Sequence, residues 1–180
     1  MARTTKTGLF PGTFDPITNG HLDIIRRGCV LFDTLIIAIA QNPTKSELFT
    51  IDERRAMIRQ LAHDCGDNIR VETYDGLTVD FARHVGATAI LRGLRNMADL
   101  NYEFQLALTN RAIANIETVF IMTGEAHAFT SSTLIKQIAS VTNIERLHRL
   151  LPPVVLQALE NKKKANKGKI PWQHADGLKE

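Results

Sequence analysis

Gly8-Leu9-Phe10-Pro11-Gly12-Thr13-Phe14-Asp15-Pro16-Ile17-Thr18-Asn19-Gly20-His21 is the stretch that decides how this chain folds. It opens on an apolar run. Two prolines and a glycine then remove backbone donors and demand turn dihedrals, so a strand begun at Gly8 should end at Phe10. Beyond the turn, Leu22, Ile25, Cys29 and Phe32 recur at helical spacing on one face. The segment reads as strand, glycine-containing loop and helix, with His21 in the helix's first turn. Backbone N–H groups gathered at such a terminus make an anion site. Thr18-x-Gly20-His21 delivers an imidazole to it, where nucleotides bind.

The same alternation continues outward. Leu35 to Ala40, Ile69 to Thr73, Thr88 to Leu91 and Thr118 to Met122 are short apolar runs, each separated from the next by a helical pattern. That is the signature of a parallel sheet covered on both faces. Thr50-x-x-Glu53 is a capping box followed by Met57, Ile58, Leu61 and Cys65 as a buried stripe. A weaker helix is expected from Leu77 to Val85, and a long one from Met97 to Asn115 with Leu100, Phe104, Leu108 and Ala112 at near-helical spacing. Ser131 or Ser132 can cap a helix through Ala139, and Pro152-Pro153 opens a last one ending near Asn161. The predicted fold class is α/β: a Rossmann-like, doubly wound, five-stranded parallel sheet in a single domain, with its ligand crevice at the carboxyl ends of the strands. The residues that carry chemistry fall just after strands: Thr13 and His21, then Lys45, then Thr78, then Arg92-Gly93-Leu94-Arg95, then His127 to Thr133.

Composition narrows the class of function. The chain of 180 residues can bury one full core, and no apolar run approaches the roughly 20 residues that span a bilayer. Met1 to Thr7 is short and polar, so no secretory leader is expected. Cys29 and Cys65 sit at apolar helix positions without metal-ligand spacing, which reads as reduced thiols of a cytoplasmic protein. The net charge of +3 invites a nucleic-acid reading, but residues 161–180 hold +4 of it and leave the body at −1. A lysine run of this kind is expected to be a disordered, solvated tail, with Trp172 the one residue that could dock. Neither nucleic acid nor membrane is expected as a partner.

The stretch from Phe10 to His21 resembles the opening of the bacterial phosphopantetheine adenylyltransferases, nucleotidyltransferases that carry a T/H-x-G-H motif, and the likeness extends from about residue 8 to about residue 160. It implies a nucleotidyltransferase domain over 1–160 and a reaction that joins ATP to 4′-phosphopantetheine, giving dephospho-coenzyme A and pyrophosphate. Such a transfer needs little from a base, because a phosphate monoester is already anionic near neutral pH; it needs cations, donors and alignment. Carried over by position, His21 stabilises the transition state and contacts ATP phosphate. Thr13 bridges the two substrates, Lys45 and Arg92 hold the acceptor's phosphate, and Thr78 lines the pantetheine arm. Phe14, Gly93, Leu94, Arg95 and Glu103 correspond to the nucleotide side. His127, Ala128, Phe129, Thr130, Ser131, Ser132 and Thr133 correspond to the loop and helix start that take the ATP phosphates. Thr130 and Thr133 depart from the family's Ile and Ser, His127 stands where an aromatic is common, and Phe10 stands where Tyr is frequent.

The resemblance also implies a homohexamer and Mg²⁺ arriving with ATP. Two other readings stand beside it: a related transferase using another phosphate acceptor, such as nicotinamide mononucleotide, and a non-catalytic nucleotide-binding regulator. The intact set of basic residues speaks against the regulator.

Overall fold

The computed structural model describes residues 5–41 and 47–172. Five strands alternate with helices: β1 (Thr7–Gly12), α1 (Asn19–Leu31), β2 (Thr34–Ala40), α2 (Ile51–Ala62), β3 (Ile69–Tyr74), α3 (Thr78–His84), β4 (Ala89–Leu94), α4 (Met97–Ala114), β5 (Glu117–Met122), α5 (Ser132–Val141) and α6 (Pro153–Ala165). Every strand pair is parallel and the order is β3-β2-β1-β4-β5. Side chains alternate across the sheet, so each central strand feeds two cores. Phe10, Leu35, Ile37, Ile39 and Leu91 face one, with α1, α2, α5 and α6; Leu9, Ile36, Ala38 and Ile90 face the other, with α3 and the end of α4. The predicted doubly wound α/β sheet is the observed one.

The order reverses between β1 and β4, where the chain leaves β1 for one side and later returns on the other. A crevice opens at the carboxyl end of such a switch point. β1 exploits it by running two residues further than its prolines predict. Pro11 and Gly12 stay in register with Ala38 and Ile39 of β2, whereas the pairing with β4 ends at Leu9↔Ile90. The Pro11 carbonyl faces that opened side and accepts from Arg92 Nη1 at 2.9 Å. The missing proline N–H therefore falls where the ladder has already ended.

Two helices differ from expectation in what they bury. On α4 the apolar residues Phe104 and Leu108 are more than half exposed, while Glu103, Asn110 and Ala114 are buried. The inward face carries Glu103 because a carboxylate is needed opposite Arg92, and this leaves the apolar stripe outside. At the other end, α6 continues past Asn161 to Ala165, Ile170 is buried, and Trp172 packs against the core. Over 161–172 the chain is not wholly a solvated tail: Lys164, Lys167 and Lys169 are exposed, but two lysines find acceptors in the body. Lys163 Nζ donates to the carbonyls of Ala139 and Thr142 near the α5 C-terminus, and Lys162 pairs with Glu53 at 2.9 Å. Residues 173–180 lie outside the described residues. Both cysteines are free and partly buried, and burial lifts the Cys29 thiol to about 11.

Candidate active site

His21 reaches its place through the start of α1. Thr18 is the N-cap: its Oγ1 accepts from the His21 N–H at 3.4 Å, and His21 Nδ1 accepts from the Thr18 N–H at 3.0 Å. An imidazole thus takes the role usually given to Glu or Gln in a capping box. With Nδ1 occupied as an acceptor, the ring proton sits on Nε2. The ring stands edge-on to Phe14, with centroids 5.2 Å apart, and Phe14 in turn meets Phe10 edge-on at 5.4 Å. Burial, then the guanidinium groups of Arg95 and Arg92, pull the His21 pKa down to about 4. At neutral pH His21 is therefore an uncharged N–H donor rather than a cation.

The turn after β1 is held in a conformation that ordinary sequence would not choose. Phe14 has a positive φ of 48°, and a Cβ at Gly12 would come within 2.9 Å of the Phe14 ring, so only glycine lets the ring fold back. Two buried charges secure it. Asp15 accepts from the N–H of Leu48 and of Phe49 at 2.9 Å each and pairs with Lys136 at 2.9 Å. Arg54, with no exposed surface, donates to the Thr13 carbonyl at 2.8 Å and to Glu47 at 2.6 Å. Neither residue was singled out from the sequence. The signal for Arg54 was there, since it lies on the Met57/Ile58/Leu61 stripe of α2, where a charge must have a buried partner.

Around this turn a cleft of about 480 Å³ gathers Thr13, Phe14, His21, Thr78, Arg92, Gly93, Arg95, Glu103, His127, Thr130, Ser131, Ser132 and Thr133 from the carboxyl ends of β1, β3, β4 and β5. The lining also takes in Tyr74, Asp99 and Tyr102, which the sequence reading missed. Tyr74 Oη lies 2.9 Å from Thr78 Oγ1 and so fixes that side chain. Leu94 is buried and Phe129 is exposed, and neither these two nor Ala128 line the cleft. Lys45 lies outside the described residues. A second groove, between α2 and β3, contains none of these residues.

Arg92, Gly93 and Leu94 are the last three residues of β4 rather than a loop after it, and only Arg95 lies beyond the strand. A Cβ on Gly93 would meet Ile24 Cγ1 at 2.9 Å, so α1 packs on β4 only over a glycine. Both arginines are already oriented by carboxylates. Glu103 receives Arg92 through Nε at 2.7 Å and through Nη2; Asp99 receives Arg95 through Nε at 2.8 Å and Nη2 at 3.0 Å. Glu103, expected on the nucleotide side, lines the cleft and also holds Arg92, whose remaining N–H groups stay available to a ligand.

At the α5 start the hydroxyl-rich run divides its labour. Ser131 is the N-cap and accepts from Leu134 N–H at 3.1 Å, while Ser132 Oγ donates to the Pro16 carbonyl at 2.8 Å. These two hydroxyls aim the helix, and both residues line the cleft. The start of the helix, Ser131 to Thr133, lines the cleft, and Thr130 Oγ1 and His127 Nδ1 are buried with no hydrogen-bond partner among the described residues. Neutral donors, two oriented guanidinium groups and a helix N-terminus converge on one cleft. That arrangement suits a polyphosphate held beside a second phosphate. No described helix is long and apolar enough to cross a membrane, and no group of three or more His, Cys, Asp or Glu among the described residues could hold a metal ion.

Known proteins resemble this chain in sequence and in fold. The cytidylyltransferase-like family matches residues 9–138. A phosphopantetheine adenylyltransferase from Syntrophus aciditrophicus is 51% identical over 166 residues, which cover 91% of this chain and 99% of the relative. One from Anaeromyxobacter dehalogenans is 47% identical over 159 residues, covering 87% and 94%. Among solved structures, Plasmodium falciparum nicotinic acid mononucleotide adenylyltransferase complexed with NaAD superposes with a TM-score of 0.66 at 16% identity, over 91% of this chain and 98% of that one. At that identity the likeness concerns the fold.

Proposed function

The chain belongs to the phosphopantetheine adenylyltransferases of the nucleotidyltransferase superfamily, and we propose that it performs their reaction in the cleft around His21, by direct in-line attack without a covalent enzyme intermediate. A phosphate oxygen of 4′-phosphopantetheine attacks the α-phosphorus of ATP, the bond to the bridging α–β oxygen breaks, and pyrophosphate leaves with its electron pair. The products are dephospho-coenzyme A and pyrophosphate. One observation carries the assignment of roles: the neutral imidazole of His21, fixed by the Thr18 N–H, lines the same cleft as Arg92 and Arg95 and feels the charge of both. A fixed neutral donor stabilises charge appearing on the α-phosphate without being neutralised by the ground-state polyanion.

In this reading Arg92 and Lys45 take the acceptor's phosphate, with Thr13 between the two substrates and Thr78 beside the pantetheine arm. Gly93, Arg95 and the start of α5 take ATP, with Thr130 and His127 offering unspent polar atoms. Glu103 and Asp99 are engaged by arginines, so the donor set fits Mg²⁺ carried on the phosphates and water of ATP, where it would screen their charge. The homohexamer belongs to the same proposal, and the exposed Phe104, Leu108 and Ile113 of α4 support it, since apolar surface of that extent on one helix calls for a cover. So does a cytoplasmic setting, in keeping with two free thiols.

The test is an acceptor screen with ATP and Mg²⁺ that follows pyrophosphate release. Release with 4′-phosphopantetheine and none with nicotinamide mononucleotide or glycerol phosphate is expected. Equal release with nicotinamide mononucleotide would overturn the choice of acceptor.

A further inference from the structure

The turn that carries Thr13 and Phe14 is held from behind by the last described residues of the chain. Lys136, on α5, donates to Asp15 at 2.9 Å, and both side chains are buried. The same ammonium lies 4.8 Å from the centroid of the Trp172 ring. Ile170 is buried beside it and Lys162 reaches across to Glu53, whose carboxylate caps α2 just beyond Phe49. A buried ion pair is only as good as the groups that replace its water. Asp15 has the N–H groups of Leu48 and Phe49 as well as Lys136; Lys136 has Asp15 and the face of Trp172. An indole face is the aromatic surface best suited to a desolvated ammonium.

We propose that Trp172 is a positioning residue for adenylyl transfer: it covers Lys136, Lys136 holds Asp15, and Asp15 holds the turn that places Thr13 and Phe14 against His21. The inference rests on the proposed reaction and gives a task to a segment whose lysine-rich sequence reads as a solvated tail. With the ring removed, water reaches the ammonium, the grip on Asp15 loosens, and the turn samples more positions before substrates bind. The cost should fall on binding. The transition-state donor itself is held independently, by the Thr18 cap.

Full-length Trp172→Ala, Trp172→Phe and Lys136→Met proteins test this by two independent readouts. In hydrogen exchange, the amides of Leu48 and Phe49 should exchange about tenfold faster in Trp172→Ala, with those of β1 and β4 unchanged, and Trp172→Phe should restore most of the protection. In steady-state assays Trp172→Ala should raise KM for the substrates about three- to tenfold and leave kcat within about twofold, with Phe again closer to wild type. Lys136→Met keeps an apolar filler under the ring, so it should fold and reproduce the exchange effect even if the alanine variant does not. Wild-type protection of Leu48 and Phe49 in Lys136→Met, or wild-type KM in a folded Trp172→Ala protein, would overturn the proposal. A wild-type protein that releases no pyrophosphate would overturn the reaction instead, and the exchange measurements would still decide the role of Trp172.

Discussion

His21→Ala removes one donor and one capping acceptor, and the structure separates the two consequences. The Nε2–H faces the cleft and the Nδ1 accepts from Thr18, so catalysis and helix stability depend on different atoms of one ring. Loss of a preorganised transition-state donor is worth about 3 to 4 kcal/mol, which corresponds to about 10² to 10³ in kcat. Loss of half a capping box costs about 1 kcal/mol of stability. Steady-state pyrophosphate release gives the first number and urea unfolding the second. ATP KM should change by less than about threefold, because the ground-state phosphates keep Arg95 and the α5 terminus. His21→Gln is the informative companion, since Gln at the third helical position can accept from Thr18 as His21 does. It should unfold like wild type and still lose about as much kcat as alanine. A tenfold rise in KM with wild-type kcat would make His21 a binding residue only.

Arg92→Ala should weaken 4′-phosphopantetheine by about 2 to 3 kcal/mol and ATP by much less, measured by calorimetry with each ligand separately; Glu103→Gln should follow the same pattern more mildly if Glu103 orients Arg92. Equal losses for both ligands would reassign the pair to the nucleotide or the fold. Arg54→Met leaves the Thr13 carbonyl and Glu47 without their donor and should cost about 3 kcal/mol in urea unfolding, a loss below 1 kcal/mol sinking the idea that it anchors the turn. The pH dependence of stability carries its own sign. The unfolded His21 takes a proton near its ordinary 6.5 and the native one only near 4, so the unfolded state binds more protons between those values. Ligand-free protein should therefore lose at most about 3 kcal/mol of stability, discounted for partial exposure, as pH falls from 6.5 to 4, and His21→Gln should lose that much less. Identical slopes for the two proteins would contradict a neutral, buried imidazole.

The features legible along the chain are local in character. Apolar runs and helical periods along the chain dictated alternating strands and helices, and alternation with both faces apolar admits only a covered parallel sheet. The turn residues from Pro11 to Pro16 marked where the chain leaves the sheet, and Thr18 to His21 marked a helix start, because caps and turns are short-range chemistry. Likeness of motif then supplied the reaction. Packing in three dimensions fixed which of those residues share the cleft and which hold others in place. Glu103 became the partner of Arg92 because β4 and α4 pack side by side, a pairing no spacing along the chain announces, whereas Arg95 and Asp99 meet four residues apart where α4 begins. The stripe of Phe104 and Leu108 turned outward for the same reason: a helix that must present a carboxylate inward cannot also bury the opposite face. The protonation state of His21 depends first on its burial beside the aromatic rings and then on the guanidinium groups of Arg95 and Arg92, about seventy residues away in the sequence. Charge alone misread Lys162 and Lys163, since a lysine is solvated only when no carbonyl, carboxylate or aromatic face stands within its reach, and reach is a property of the folded chain.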